Sequence, residues 1–130
     1  MKNCPLCWPI QLIDDQKIIF ETERTVFIMK PQEILIGSGL VIPKKHKETV
    51  FDLSEEEVAE TFSLLKKVKL YLDKMYHPEG YNVGWNCMPV GGQSINHAHL
   101  HVIPRYKDEP LAYKGIRNHL KQRENKRPSL

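Results

Sequence analysis

At 130 residues, with 41% hydrophobic and 27% charged side chains, the chain has the make-up of one globular domain, and of neither a disordered segment nor a fibre. Its formal charge of +3 is too small to mark a polynucleotide binder. The longest apolar run, Ile34 to Ile42, is interrupted by Gly37, Ser38 and Gly39, well short of the roughly 20 apolar residues a membrane-spanning helix needs.

From the start, Met1-Lys2-Asn3-Cys4-Pro5 carries no signal-peptide pattern, so the expected location is the cytoplasm. Lys17 to Phe20 and Thr25 to Met29 are short runs rich in β-branched and aromatic residues, separated by polar Glu21-Thr22-Glu23-Arg24. They predict a hairpin. Leu40-Val41-Ile42-Pro43 predicts a strand stopped by proline. From Ser54 to about Tyr76 a helix is expected, because Ser54 and Glu57 form a capping box. Val58, Phe62, Leu65, Val68, Leu72 and Met75 follow at spacings of three and four, which predicts one apolar face. His77-Pro78-Glu79-Gly80 ends that helix. Tyr81 to Met88 predicts a strand and Pro89-Val90-Gly91-Gly92 a turn, and His97 to Ile103 predicts a strand ending at Pro104. Hairpin-linked strands crossed by one long helix indicate a single α+β domain over residues 1–130, with a mainly antiparallel five-stranded sheet. A basic tail starts at about residue 107, where Lys114, Arg117, Lys121, Arg123, Lys126 and Arg127 face only Glu124. It reads either as a short, solvated, frayed helix or as a weak attraction for anionic ligands.

The chemistry gathers at His97-Ala98-His99-Leu100-His101. Side chains alternate across a strand, so the three histidines share one face while Ala98, Leu100 and Val102 face the core. Such a row can bind a metal, or supply a nucleophile with neighbours that orient it. Upstream, Gly91-Gly92-Gln93-Ser94 offers close backbone approach, an amide and a hydroxyl. A donor-rich turn beside a nucleophile suits phosphate better than a metal. An imidazole with the usual pKa of about 6.5 is largely unprotonated at neutral pH and is available to attack.

The segment from Gly91 to Ile103 resembles the signature of the histidine triad (HIT) family, His-φ-His-φ-His-φ-φ. Leu40 to His46 and the strand bearing Asn86 also match that family's pattern, so the likeness covers roughly residues 4 to 105. The resemblance implies a nucleotide hydrolase or transferase, acting on dinucleoside polyphosphates or related conjugates as a homodimer, without an organic cofactor. It makes His99 the nucleophile at the α-phosphorus and His101 a phosphate contact near the leaving group. Gln93 and Ser94 take phosphate and leaving-group contacts, and Asn86 a polar site position. Two positions depart from the pattern. Ser38 stands where relatives often carry histidine, and Lys30 where a ribose-binding Asp or Asn is usual.

Cys4-Pro5-Leu6-Cys7 has the spacing of half a zinc site, and three cysteines in all favour metal or free thiols over disulfides. By itself the pair leaves zinc, a redox couple and plain thiols open. The family resemblance adds His46 and His97 as the other two ligands of a structural zinc. Cys87 is expected to be buried on its strand. Trp8 and Trp85 read as core residues or base-stacking platforms, Lys30 as a surface residue or a phosphate contact, and Arg105 as a distal-phosphate contact or a surface ion pair. His77 and His119 are expected in solvent. Three other functions compete: a nucleoside phosphoramidase, a zinc-stabilised nucleotide-binding or adaptor module with little turnover, and a metal-dependent hydrolase that uses the triad as ligands.

Overall fold

In the computed structural model, which describes residues 3–129, five strands form one antiparallel sheet in the order β1-β2-β3-β5-β4. They are β1 (Lys17–Glu21), β2 (Thr25–Met29), β3 (Gly39–Pro43), β4 (Gly80–Trp85) and β5 (Leu100–Arg105). The long helix α1 (Glu55–Tyr76) crosses between β3 and β4, and a short α2 (Ile116–Leu120) lies in the basic tail. The expected α+β class, the hairpin and the helix ends all agree with this architecture. Met1 and Lys2, part of the amino-terminal stretch read for a signal, lie outside the described residues.

Local chemistry sets the ends of α1. Ser54 Oγ accepts from Glu57 N–H at 3.1 Å, while Glu57 Oε1 accepts from Ser54 N–H at 2.8 Å, so two orphan donors of the first turn are satisfied. His77 stops the helix in the left-handed region at φ 51°. The buried face is Glu57, Thr61, Leu64, Val68 and Leu72. The expected stripe holds at Val68 and Leu72 but fails at Val58, Phe62 and Met75, which are exposed. Leu65, also in the expected stripe, is part-buried against the core, so the face that meets the sheet is centred on Leu64, Val68 and Leu72.

Against one face of the sheet α1 buries Leu64, Val68 and Leu72, in contact with Phe27, Val41, Leu100 and Val102. Each such side chain contributes about 1.5–3 kcal/mol. On the opposite face a smaller cluster of Leu6, Val26, Ile28 and Ile42 anchors the amino-terminal segment. On β5, His101 alternates with Leu100 and Val102 and so faces that second side.

Two strands are shorter than expected. β4 ends at Trp85, because the chain turns through Met88 at φ 68° and Gly92 at φ 96°. Cys87 therefore lies past the strand and is only half-buried, not packed inside. β5 starts at Leu100, because His97 N–H bonds Ile95 O and Ala98 N–H bonds Lys47 O instead of a neighbouring strand.

Candidate active site

The loop from Asn86 to His99 is held by its own polar groups. Gln93 is buried, its Nε2 donates to Glu48 O at 2.6 Å and Ile95 O at 3.0 Å, and its Oε1 accepts from Met88 N–H at 2.7 Å. All of the amide is thus engaged with backbone. Ser94, next along, is exposed. Asn86 is exposed too, and lies beside Gly92, where an added Cβ would sit 3.8 Å from the Asn86 side chain. Trp85 and Leu100 are the last pair of the β4–β5 register, so Asn86 and His99 each lie one residue past it.

His99 is buried, and its Nδ1–H donates to His97 O at 2.8 Å. That bond fixes the tautomer in which Nε2 carries a lone pair. The ring of His101 stands 5.0 Å from that of His99. Its Nε2 is buried and has no hydrogen-bond partner among the described residues. Burial, and then repulsion from His99, hold the His101 imidazole below its ordinary pKa. Beside His101 opens a cavity of about 280 Å³, lined by Ile28, Met29, Lys30, Ser38 and Leu40 among others. Lys30 is exposed at its rim. Ser38 is buried and accepts from Gln32 Nε2 at 2.8 Å.

His97 faces away from this cavity, towards the cysteines. The ligand atoms of Cys4, Cys7, His46 and His97 all lie within 4.8 Å of one another. Cys4 Sγ is 3.3 Å and Cys7 Sγ 3.6 Å from His97 Nδ1, and Cys7 Sγ is 3.3 Å from His46 Nδ1. Tetrahedral zinc, with bonds near 2.3 Å to sulfur and 2.0 Å to nitrogen, needs sulfur and nitrogen about 3.5 Å apart. His97 Nε2–H donates to Pro43 O at 2.8 Å, leaving Nδ1 free to ligate, which is the outer bond a metal-binding histidine uses. Burial holds the His97 imidazole below its ordinary value. Burial, and then the adjacent Cys4 thiol, push the Cys7 thiol up to about 11, so a cation binding there displaces a proton. The cluster can hold a metal ion.

The HIT domain model matches residues 12–108. The chain belongs to the HIT domain family. An uncharacterised HIT-like protein of Methanocaldococcus jannaschii is 32% identical over 106 residues, which are 82% of this chain and 81% of that one. Two relatives of Schizosaccharomyces pombe carry named activities. Its adenosine 5'-monophosphoramidase is 40% identical over 73 residues, 56% of this chain and 52% of its own. Its asymmetrical bis(5'-nucleosyl)-tetraphosphatase is 29% identical over 91 residues, 70% of this chain and 50% of its own. A HIT family protein from Bacillus anthracis matches in structure with a TM-score of 0.70 and 30% identity, over 95% of this chain and 89% of that one. A zinc-bound HIT family protein from Mycobacterium smegmatis matches with a TM-score of 0.65 and 28% identity, over 78% and 76%.

Among HIT motif residues, the structure sets the rings of His99 and His101 side by side and sends His97 to the cysteines. Other sequence expectations resolve outside the motif. Of the two readings of Arg105 the ion pair is the one present: it pairs with Glu109 at 2.7 Å, and its remaining donors go to Asn82, Leu111 O and Lys114 O. Trp85 packs against the core, whereas Trp8 is part-exposed with Lys44 Nζ 4.4 Å above its ring. His77 and His119 are exposed. Sequence reasoning missed Gln32, the partner of Ser38, because no motif spacing links a loop glutamine to a serine six residues on. No helix among the described residues is long and apolar enough to cross a membrane.

Proposed function

We propose that this HIT protein hydrolyses nucleotides at the α-phosphate through a covalent nucleotidyl-histidine on His99, with dinucleoside polyphosphates as the leading substrate class. The tautomer of His99 carries the reading: a buried imidazole whose Nδ1–H is committed to a carbonyl has only its Nε2 lone pair left to react. Nε2 attacks the α-phosphorus and a P–N bond forms. The bond to the bridging oxygen breaks, and its electron pair leaves with that oxygen. Water then attacks the same phosphorus and loses its proton to solvent, and the P–N pair returns to Nε2. A nucleoside monophosphate departs.

The nucleoside occupies the cavity beside His101, whose walls Ile28, Met29 and Leu40 suit a flat apolar base. The unpartnered Nε2 of His101 is the group left to meet a phosphoryl oxygen where charge develops. Ser94 contacts the leaving oxygen, Asn86 the phosphate from the opposite strand, and Gln93 serves both through the loop it fixes. Relatives named as a tetraphosphatase and a phosphoramidase support phosphorus chemistry on nucleotides. The phosphoramidase, at 40% identity, favours a second reading in which the same steps expel an amine.

A zinc ion bound by Cys4, Cys7, His46 and His97 would pin the amino-terminal segment to the sheet and supply structure, not reactivity. The donor spacing and the zinc-bound relative support it. A cytoplasmic homodimer completes the proposal. The exposed apolar Phe51, Val58 and Phe62 support an interface along α1. Hydrolysis of diadenosine tetraphosphate in ¹⁸O-water tests the reaction. The label is expected in AMP, and its appearance only in the nucleoside triphosphate would refute attack at the α-phosphorus.

A further inference from the structure

The bond that sets the tautomer of His99 ends on the carbonyl of His97, which is one side of the peptide unit joining His97 to Ala98. A trans peptide is a rigid plane whose C=O and N–H point in opposite directions. On the other side of the same plane, Ala98 N–H donates to Lys47 O at 2.7 Å. The plane is thus a small plate, with the imidazole of His99 on one edge and the backbone of Lys47 on the other. A displacement of Lys47 O tilts the plate and carries the acceptor away from His99 Nδ1–H.

Glu48, the next residue, takes two further bonds from the same loop. Its carbonyl accepts from Gln93 Nε2 at 2.6 Å, and its Oε2 accepts from Asn96 Nδ2 at 2.8 Å. Lys47 and Glu48 are therefore the frame on which the loop before β5 hangs. Neither lies in a strand or a helix, so no ladder of backbone bonds fixes that frame.

Its tie to the scaffold is the side chain of Lys47, whose Nζ lies 3.5 Å from Glu57 Oε1. Glu57 sits in the first turn of α1 and is only 3% exposed. Its Oε1 also accepts from Ser54 N–H, while its Oε2 is buried with no hydrogen-bond partner among the described residues. A buried carboxylate so sparsely bonded is costly unless a cation stands beside it. Arg24 and Lys44, two other cations around the small cavity at this end of the helix, are paired with Glu60 and Glu21. Among the described residues, Lys47 is the one that forms an ion pair with Glu57.

We infer that Lys47 and Glu57 are positioning residues for the nucleophile. Their ion pair fixes the frame, the frame holds the peptide plate, and the plate sets the tautomer of His99. The inference rests on the proposed reaction at His99. Glu57 also serves the capping box, and chemistry separates its two roles: glutamine keeps an oxygen for Ser54 N–H but offers no charge to Lys47.

The test uses wild type, Glu57→Gln and Lys47→Met. The ¹⁵N shifts of the two His99 ring nitrogens are read at about pH 8.5, where imidazoles are neutral. Alongside them, kcat and KM are measured on diadenosine tetraphosphate. In wild type, Nδ1 is expected to give the signal of a protonated nitrogen and Nε2 that of a bare one. In both variants the two signals are expected to move towards each other as the tautomers mix. Turnover is expected to fall with them, kcat by about fivefold or more, the worth of one neutral hydrogen bond, and KM by no more than about twofold. Unchanged His99 signals in Glu57→Gln, whatever the unfolding midpoint does, would show that the plate is held without the pair and overturn the inference. The signals need no turnover, so failure of wild type to release AMP would refute the reaction at His99 and leave the positioning to be read from the spectra.

Discussion

Replacing Gln93 by leucine separates two ways in which this residue can serve the site. In the structure its amide closes three bonds to backbone, at 2.6, 2.7 and 3.0 Å, and the side chain is buried. Leucine nearly preserves the volume but leaves Met88 N–H and Glu48 O without their side-chain partner, and Ile95 O with only the bond from His97 N–H. At about 1 kcal/mol for each neutral bond, the loss comes to about 3 kcal/mol. For a domain of this size that corresponds to a fall in unfolding midpoint of roughly 10–15 °C. Gln93→Glu is expected to be no milder. The carboxylate keeps the bond from Met88 N–H but sets oxygen against the carbonyls of Glu48 and Ile95. Thermal denaturation is followed by circular dichroism, alongside kcat and KM below the transition. Loop-holding predicts that stability and activity fall together. A midpoint within about 2 °C of wild type, with kcat reduced a hundredfold, would show that Gln93 acts directly on the phosphate, and the loop argument would be wrong.

Three further outcomes follow from the site. Ser38→Ala removes one neutral bond, with Gln32, and should slow turnover about two- to thirteen-fold. His101→Ala removes a donor from developing charge and should cost about 10²–10³-fold, and equal losses would refute the division of roles. Purified protein should carry about one zinc per chain, and Cys4→Ser should lower the unfolding midpoint far more than the kcat of the folded fraction; metal analysis without zinc would contradict this. Burial lowers the pKa of His101 in the folded state, so below pH 6.5 this position binds more protons in the unfolded chain than in the native one. The stability linked to His101 is therefore fully present above pH 6.5 and is lost as pH falls through its folded value. Denaturant midpoints that fall from pH 7.5 to 5 no more in wild type than in His101→Asn would show that His101 is not held neutral.

Much of this was legible in the residues themselves. Ser54 and Glu57 announce the start of α1, and the hairpin and all five strands follow from local pattern. The triad marks the family, and the Cys4–Cys7 pair marks one half of the cluster that can hold a metal ion. What stayed hidden depends on contacts between distant parts of the chain. Period-two alternation ran the last strand back to His97, but Ala98 N–H bonds Lys47 O, a partner 51 positions earlier. Helical periodicity could not show that polar Glu57 and Thr61 would lie on the buried face while Val58 and Phe62 stay outside, because that depends on how the helix meets the sheet. Arg105, read as a phosphate contact or a surface pair, proved to be tied to the tail, through carbonyls that have no sequence signature.

The central claim is that His99 Nε2 becomes bonded to the nucleotide. Protein mixed with diadenosine tetraphosphate and quenched within milliseconds is digested at mildly alkaline pH, where a phosphoramidate bond survives. Mass spectrometry then reads the peptide containing Leu100 and its neighbours. The account predicts an adenylyl group on His99, released by acid and absent from His99→Ala. Turnover with no such adduct at any quench time, or an adduct on His101 instead, would contradict it.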